Sequence, residues 1–140
     1  MLIGTYSYTV DEKGRVPIPS KLRKEMGKKV IIAQGMEEYL YIYPVARFQE
    51  LIDKLEKISM SSEGVHLKRL ILASIMEVEL DNQGRMKIPN YLEKFASITR
   101  EVVILGQGSY LEIWDAKKWN DYKENRKIVD AAERIARLSS

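Results

Sequence analysis

Read as apolar and polar positions, the chain alternates, breaks, alternates again, and then repeats the whole pattern. Thr5 to Val10 is β-branched or aromatic apart from one Ser, the composition of a strand. Asp11-Glu12-Lys13-Gly14 interrupts it with the chemistry of a tight hairpin turn. An Asp carboxylate accepts backbone amides across such a turn, and Gly supplies the positive φ near its end. Arg15 to Ile18 returns as a second strand. Pro17 has no N–H to give a ladder, which predicts an edge position or an open amide side there, and Pro19 stops the strand. Ser20 is the expected cap of a short helix over Lys21 to Met26, with Gly27 at its end. Val30 to Ala33 and Tyr39 to Tyr43 are predicted strands joined by a loop around Gly35. In Val45 to Ile58, Phe48, Leu51, Ile52, Leu55 and Ile58 recur at three- and four-residue spacing, the stripe of an amphipathic helix.

The nonamer DEKGRVPIP at Asp11 to Pro19 returns as DNQGRMKIP at Asp81 to Pro89. Leu22 then answers to Leu92, Val30-Ile31-Ile32 to Val102-Val103-Ile104, Tyr39 to Tyr43 to Tyr110 to Trp114, and Phe48 to Trp119. Asn90 takes the place of the first cap, and Tyr91 to Phe95 that of the short helix. Each repeat is therefore strand, turn, strand, short helix, strand, strand, with a longer helix after it. The second of these longer helices is opened by Asp115 and carries Trp119, Tyr122, Ile128, Ala131, Ala132, Ile135 and Leu138. Ser59 to Gly64 is the most linker-like stretch, followed by a helix over Val65 to Ile75. The expected units are 1–58, a connection over 59–76, and 77–140. Strands this short cannot close a stable sheet alone, so the two units are expected to interlock in one β-rich α+β fold. Two copies argue for a duplicated module and against a solenoid, which needs three or more. The helical stripes exceed the core available to cover them, and another copy of the chain is the expected partner.

Composition narrows the chemistry. With 140 residues and no cysteine, disulfides, thiolate metal sites and thiol catalysis are excluded. The single histidine, His66, lies in a helical stretch, and no metal-ligand spacing, nucleophile elbow or phosphate-cradling glycine motif appears. No enzyme activity, metal, cofactor or small-molecule substrate is expected. No apolar run approaches the ~20 residues that span a bilayer, and no signal-peptide profile opens the chain. The net charge of +3 is mild, but residues 11–29 hold Lys13, Arg15, Lys21, Arg23, Lys24, Lys28 and Lys29 against only Asp11, Glu12 and Glu25. A basic cluster on a near-neutral body is a footprint for a polyanion.

Asp11 with Arg15, and Asp81 with Arg85, admit two readings. One is an ion pair within the turn, worth about 0–1 kcal/mol when exposed. The other is a rigid mount, formed by Asp11 and Gly14 or by Asp81 and Gly84, that aims a guanidinium at a phosphate or a guanine edge. The basic helix after Pro19 favours the second, with Leu22 and Met26 as its buried edge. The copies are unequal: Lys13, Arg23 and Lys24 face Gln83, Glu93 and Lys94, and Lys87 replaces Pro17. On charge, the first copy is expected to dominate contact with a polyanion, with Arg85, Lys87 and Lys94 in support. Tyr41, Tyr43, Phe48, Trp114 and Trp119 sit at positions that read as packing, not as base-stacking platforms.

With both DxxGR-x-x-IP stretches in view, nearly the whole chain resembles the MraZ family, bacterial transcription factors with two AbrB-like swapped-hairpin units. Leu2-Ile3-Gly4-Thr5-Tyr6, Leu40-Tyr41-Ile42-Tyr43-Pro44, Ala73 and Leu111-Glu112-Ile113-Trp114-Asp115 followed by Trp119 match its landmarks as well. The resemblance implies a double-split β-barrel built from both repeats and several chains joined in a ring. It also implies binding of double-stranded DNA at G-rich direct repeats upstream of the division and cell-wall gene cluster, in the cytoplasm at the nucleoid. Carried over residue by residue, the DNA contacts fall on Arg15, Arg23 and Lys24, and on Arg85 and Lys94 in the second unit. Lys13, Lys21 and Lys87 join them on charge. Glu93 stands where an Arg is expected. A rival reading is an AbrB-like antitoxin or protein-interaction module with Asn120 to Ser140 as its binding tail. Specific RNA binding is weaker, because the basic patch lacks interleaved aromatics.

Overall fold

The computed structural model describes residues 1–139; Ser140, which ends the predicted second unit and the tail, lies outside the described residues. Eight strands are described: β1 (Leu2–Thr9), β2 (Arg15–Pro17), β3 (Lys29–Gln34), β4 (Leu40–Pro44), β5 (Met76–Glu79), β6 (Arg85–Lys87), β7 (Glu101–Gly108) and β8 (Leu111–Asp115). Among them run six α-helices: α1 (Arg23–Met26), α2 (Phe48–Ile58), α3 (Ser62–Ser74), α4 (Asn90–Phe95), α5 (Ala116–Asn125) and α6 (Ile128–Ser139). The fold is mixed α+β.

Six strands form one antiparallel sheet in the order β1-β7-β8-β4-β3-β5, and β2 and β6 form a separate two-stranded ribbon. The order reads the same when each strand is replaced by its counterpart in the other repeat, so the molecule has an approximate twofold. The turns form where the sequence puts them, but the strands on either side of each turn do not pair with each other. β1 pairs with β7 and β5 with β3, across the repeats. The reason is length. Leu2 to Thr9 finds a partner for all eight residues in Glu101 to Gly108, whereas β2 offers only three. Pro17 sits in a ribbon whose two strands are both edges, as its missing N–H requires.

Period-two alternation puts the two faces of the sheet into two cores. Val30, Ile32, Leu40, Ile42, Val102, Ile104, Leu111 and Ile113 pack with Val16 and Met86 of the ribbon, Ile18 and Ile88 after it, and Leu22 and Leu92. The opposite face carries Ile31, Tyr39, Tyr41, Tyr43, Val103 and Trp114 against Leu51 and Leu55 of α2 and Ile71 of α3. The aromatic residues are packing, as expected. Tyr43 and Tyr110 stack with ring centres 4.7 Å apart, and Tyr39 and Trp114 at 5.1 Å. The sheet thus separates a ribbon side from a helix side.

Three local expectations change. Neither Ser20 nor Asn90 caps through its side chain, because Pro19 and Pro89 occupy the cap positions with extended ψ and their carbonyls accept the first helical amides. Ser59 to Gly64 is not a loose linker: Ser61 Oγ accepts the Gly64 amide at 3.0 Å and α3 begins at Ser62. The C-terminal helix is two helices. Arg126 leaves helical backbone angles where its guanidinium pairs with Glu37 at 3.2 Å and covers the Tyr122 ring.

The α2–α3 turn depends on one missing side chain. A Cβ on Gly64 would fall 1.6 Å from the Ile58 carbonyl oxygen, so backbone would have to move. Gly64→Ala is expected to cost at least the ~1–3 kcal/mol of an overpacked site. A urea titration of the variant checks this, and an unchanged midpoint would mean that the turn opens freely.

Candidate nucleic-acid interface

The ribbon is where the repeated nonamers meet. Arg15 lies opposite Lys87, Val16 opposite Met86, and Pro17 opposite Arg85. The ladder continues at both ends through Ile18 N to the Gly84 carbonyl and Ile88 N to the Gly14 carbonyl, each 2.9 Å. Because strand side chains alternate, burial of Val16 and Met86 turns Arg15, Arg85, Lys87 and Pro17 to the outer face.

Each arginine is fixed by its own turn. Asp11 Oδ1 accepts the backbone amides of Lys13 and Arg15 at 2.9 Å, and Oδ2 accepts Arg15 Nε at 2.7 Å. Asp81 repeats this with Gln83, Arg85 and Arg85 Nε at 2.9, 2.9 and 2.8 Å. Gly14 and Gly84 close the turns at φ of 78° and 74°. Arg85 Nη1 also comes within 3.9 Å of Asp11 Oδ2, which links the two turns. Nε carries the tie to its own Asp, which leaves the terminal nitrogens of Arg15, and of Arg85 apart from the Nη1 contact with Asp11, for other partners. Their planar fork suits a phosphate or a base edge.

Two clefts flank the ribbon, related by the approximate twofold. One, of about 630 Å³, is lined by Arg23, Lys24 and Lys28 with Glu79 and Asp81. The other, of about 870 Å³, sets Lys13, Lys87 and Arg100 against Asp11, Glu12 and Glu93. Arg23 donates through Nε to the Ile18 carbonyl at 3.0 Å and lies flat on the opposite turn, where a Cβ on Gly84 would fall 2.5 Å from that nitrogen. Its counterpart Glu93 stands over Gly14, with Oε1 3.5 Å from the position a Cβ would take. Burial pushes the Glu93 carboxyl above its ordinary range, with Lys87 pulling the other way.

Comparison with known proteins fits this duplicated geometry. The profile of the family described as "MraZ protein, putative antitoxin-like" matches residues 1–68 and again residues 71–138. The chain belongs to the MraZ family. It is 38% identical over 129 residues to the transcriptional regulator MraZ of Finegoldia magna, covering 91% of this chain and 90% of that one. The corresponding protein of Clostridium acetobutylicum is 36% identical over 140 residues, 99% of each chain. That of Alkaliphilus metalliredigens is 34% identical over 129 residues, 91% of this chain and 90% of that one. The match covers nine-tenths or more of each of these relatives.

In this MraZ chain the expected basic patch does not stay together. Exchange of strands deals the charges of residues 11–29 across the molecule: Lys13 faces Glu93, while Arg23 and Lys24 sit beside the turn of the second repeat. Arg15, Arg85 and Lys87 share the ribbon face; Lys21 and Lys94 are exposed on the flanking turn and helix but line neither cleft. Lys28 and Arg100 were not among the expected site residues. Their carbonyls accept the amides of Leu80 and Val10, each at 2.8 Å, rooting the turn of the other repeat. Lys28 stands in the basic cluster of residues 11–29, and the shift of offset from 70 to 72 marks Arg100 as its counterpart. On the far side of the sheet, burial raises the Glu112 carboxyl, which accepts Trp114 Nε1 at 2.9 Å. Among the described residues no group of three or more His, Cys, Asp or Glu could hold a metal ion, and no helix is long and apolar enough to cross a membrane.

The turns make acid stability testable. Amide donation from Arg15 to Asp11, and from Arg85 to Asp81, holds both carboxyls below the usual aspartate range. A depressed folded value means that the contribution is present above the unfolded value, about 3.9, and is lost as pH falls through the folded one. Asp11→Asn with Asp81→Asn is therefore expected to lower the urea midpoint at pH 7. The gap to the native chain should begin to narrow below about pH 4 and keep narrowing as pH falls through the folded value; a gap that does not narrow at all on acidification would assign the effect to shape and not to charge.

Proposed function

We propose that this chain is a sequence-specific transcriptional regulator that binds double-stranded DNA with the outer face of the β2–β6 ribbon. The observation that carries it is the pair of guanidiniums, Arg15 and Arg85, each held through Nε by an aspartate on the ribbon face opposite the buried Val16 and Met86. Arg15, Arg85 and Lys87 meet base edges or phosphates from the ribbon. Arg23, Lys24 and Lys13 follow from the clefts, and Lys21 and Lys94 from the flanks. The names of the relatives, each a transcriptional regulator and not an enzyme, support the same reading. Nothing in this role needs catalysis, a metal or a cofactor, and it belongs in the cytoplasm at the nucleoid.

The finer features follow the family. The ribbon and six-stranded sheet are read as a double-split β-barrel, with units at 1–58 and 77–140 joined through 59–76. The target is a set of G-rich direct repeats upstream of the division and cell-wall genes, and several chains assemble, as a ring, to engage them. Support for assembly comes from α6. Ile128, Val129, Ile135 and Leu138 are all exposed along it, and a lone helix of this length is marginal in water. The same exposed helix supports the second reading, a tail that binds another protein as antitoxins do.

Binding through phosphates releases counterions, so affinity for the DNA upstream of the gene is expected to fall steeply and log-linearly with salt. Arg15→Ala is expected to weaken specific binding by about 1–3 kcal/mol per module while leaving the thermal melt and native mass unchanged. Gel shifts with one box and with an array check the multivalent part, since linked contacts gain through effective concentration. Equal affinity for one box and for several would remove it, and capture of a co-encoded partner without any DNA shift would favour the second reading.

A further inference from the structure

We infer that Arg23 and Glu93 fix the direction in which the ribbon lies along DNA, so that a unit with a nearly twofold backbone reads its site with one polarity. This rests on the DNA-binding reading and deepens it. A twofold unit meets both strands of a duplex in the same way, and its site mirrors that symmetry as a palindrome. The backbone here is such a unit. The two turns have the same hydrogen bonds to within 0.1 Å at the arginine Nε, and each packs under the short helix of the other repeat.

Side chains break the symmetry. At a position where the sign of charge reverses between the repeats, as it does again at Lys29 and Glu101, Arg23 covers Gly84 and Glu93 covers Gly14. The other differences add cations on the Glu93 side, Lys13 for Gln83 and Lys87 for Pro17, where Glu12 and Glu93 offset them. On the Arg23 side three cations face two carboxylates, and on the Glu93 side three face three; one carboxylate of each cleft, Asp81 or Asp11, is tied to a ribbon arginine. The field along the ribbon therefore runs from a cationic end to a balanced one. A phosphate backbone favours the first and is repelled by the Glu93 carboxylate at the second.

The chain has no cysteine, so a single introduced one takes a DNA-cutting iron chelate at a known place. Ser20→Cys and Asn90→Cys label the exposed starts of the two short helices. On a duplex carrying one protected box, each label is expected to cut one flank, and the two labels opposite flanks. In Arg23→Glu with Glu93→Arg, each cut is expected to move to the other flank. If that pair fails to fold, Arg23→Gln with Glu93→Gln serves, and each label should then lose its preference for its native flank. Equal cutting of both flanks by the native charges would overturn the inference, as would flanks that stay put in the exchanged or the neutral pair. Absence of any protected box would instead sink the DNA-binding reading, and this inference with it.

Discussion

An aspartate that accepts two backbone amides and the Nε of an arginine four residues on leaves neither side chain free to swing. The carboxylate has spent both oxygens, and the guanidinium is held at its stem while its fork stays open. As an exposed ion pair the contact adds little stability. As a constraint it costs the arginine its rotamer freedom in the free protein, before any ligand arrives, so less is lost on binding. The chain applies this constraint twice, and the ribbon brings Arg85 Nη1 to 3.9 Å from the carboxylate that holds Arg15.

What holds the ribbon at the surface is the division of the sheet into two cores. One face takes aliphatic side chains from the ribbon and the short helices; the other takes tyrosines, Trp114 and the long helices. Val16 and Met86 anchor the ribbon from beneath with no exposure at all, and that burial turns the charged residues outward. The geometry of the candidate site is thus a by-product of packing, set by strand alternation and not by contacts among the charged groups.

Much of this was legible in the residues because its causes are local. Asp, Gly and Pro at fixed offsets specify a turn and its limits, and aliphatic alternation specifies strands. The family landmarks added the DNA-binding reading and the residues that carry it. What the chain order concealed was which repeat completes which. Arg23 follows Arg15 by eight residues yet lies on Gly84, because pairing partners are chosen by strand length and burial across the whole chain. Ser20 and Asn90 look like caps, but a proline directly before each already supplies the entry geometry. The break at Arg126 has no glycine or proline to announce it; it goes with a contact to Glu37, far away in sequence, and with the Tyr122 ring one turn back.

The exchange of strands also governs how the molecule comes into being. Leu2 lies opposite Gly108, so the first strand to leave the ribosome waits for one of the last before its backbone is satisfied. Contacts this distant in sequence are slow to form, and until they do the apolar edge of the nascent amino-terminal half stays open to neighbours on the same message. A half-length translation product could satisfy that edge only by borrowing the missing strands from a twin, which is the architecture that a duplicated and fused gene leaves behind.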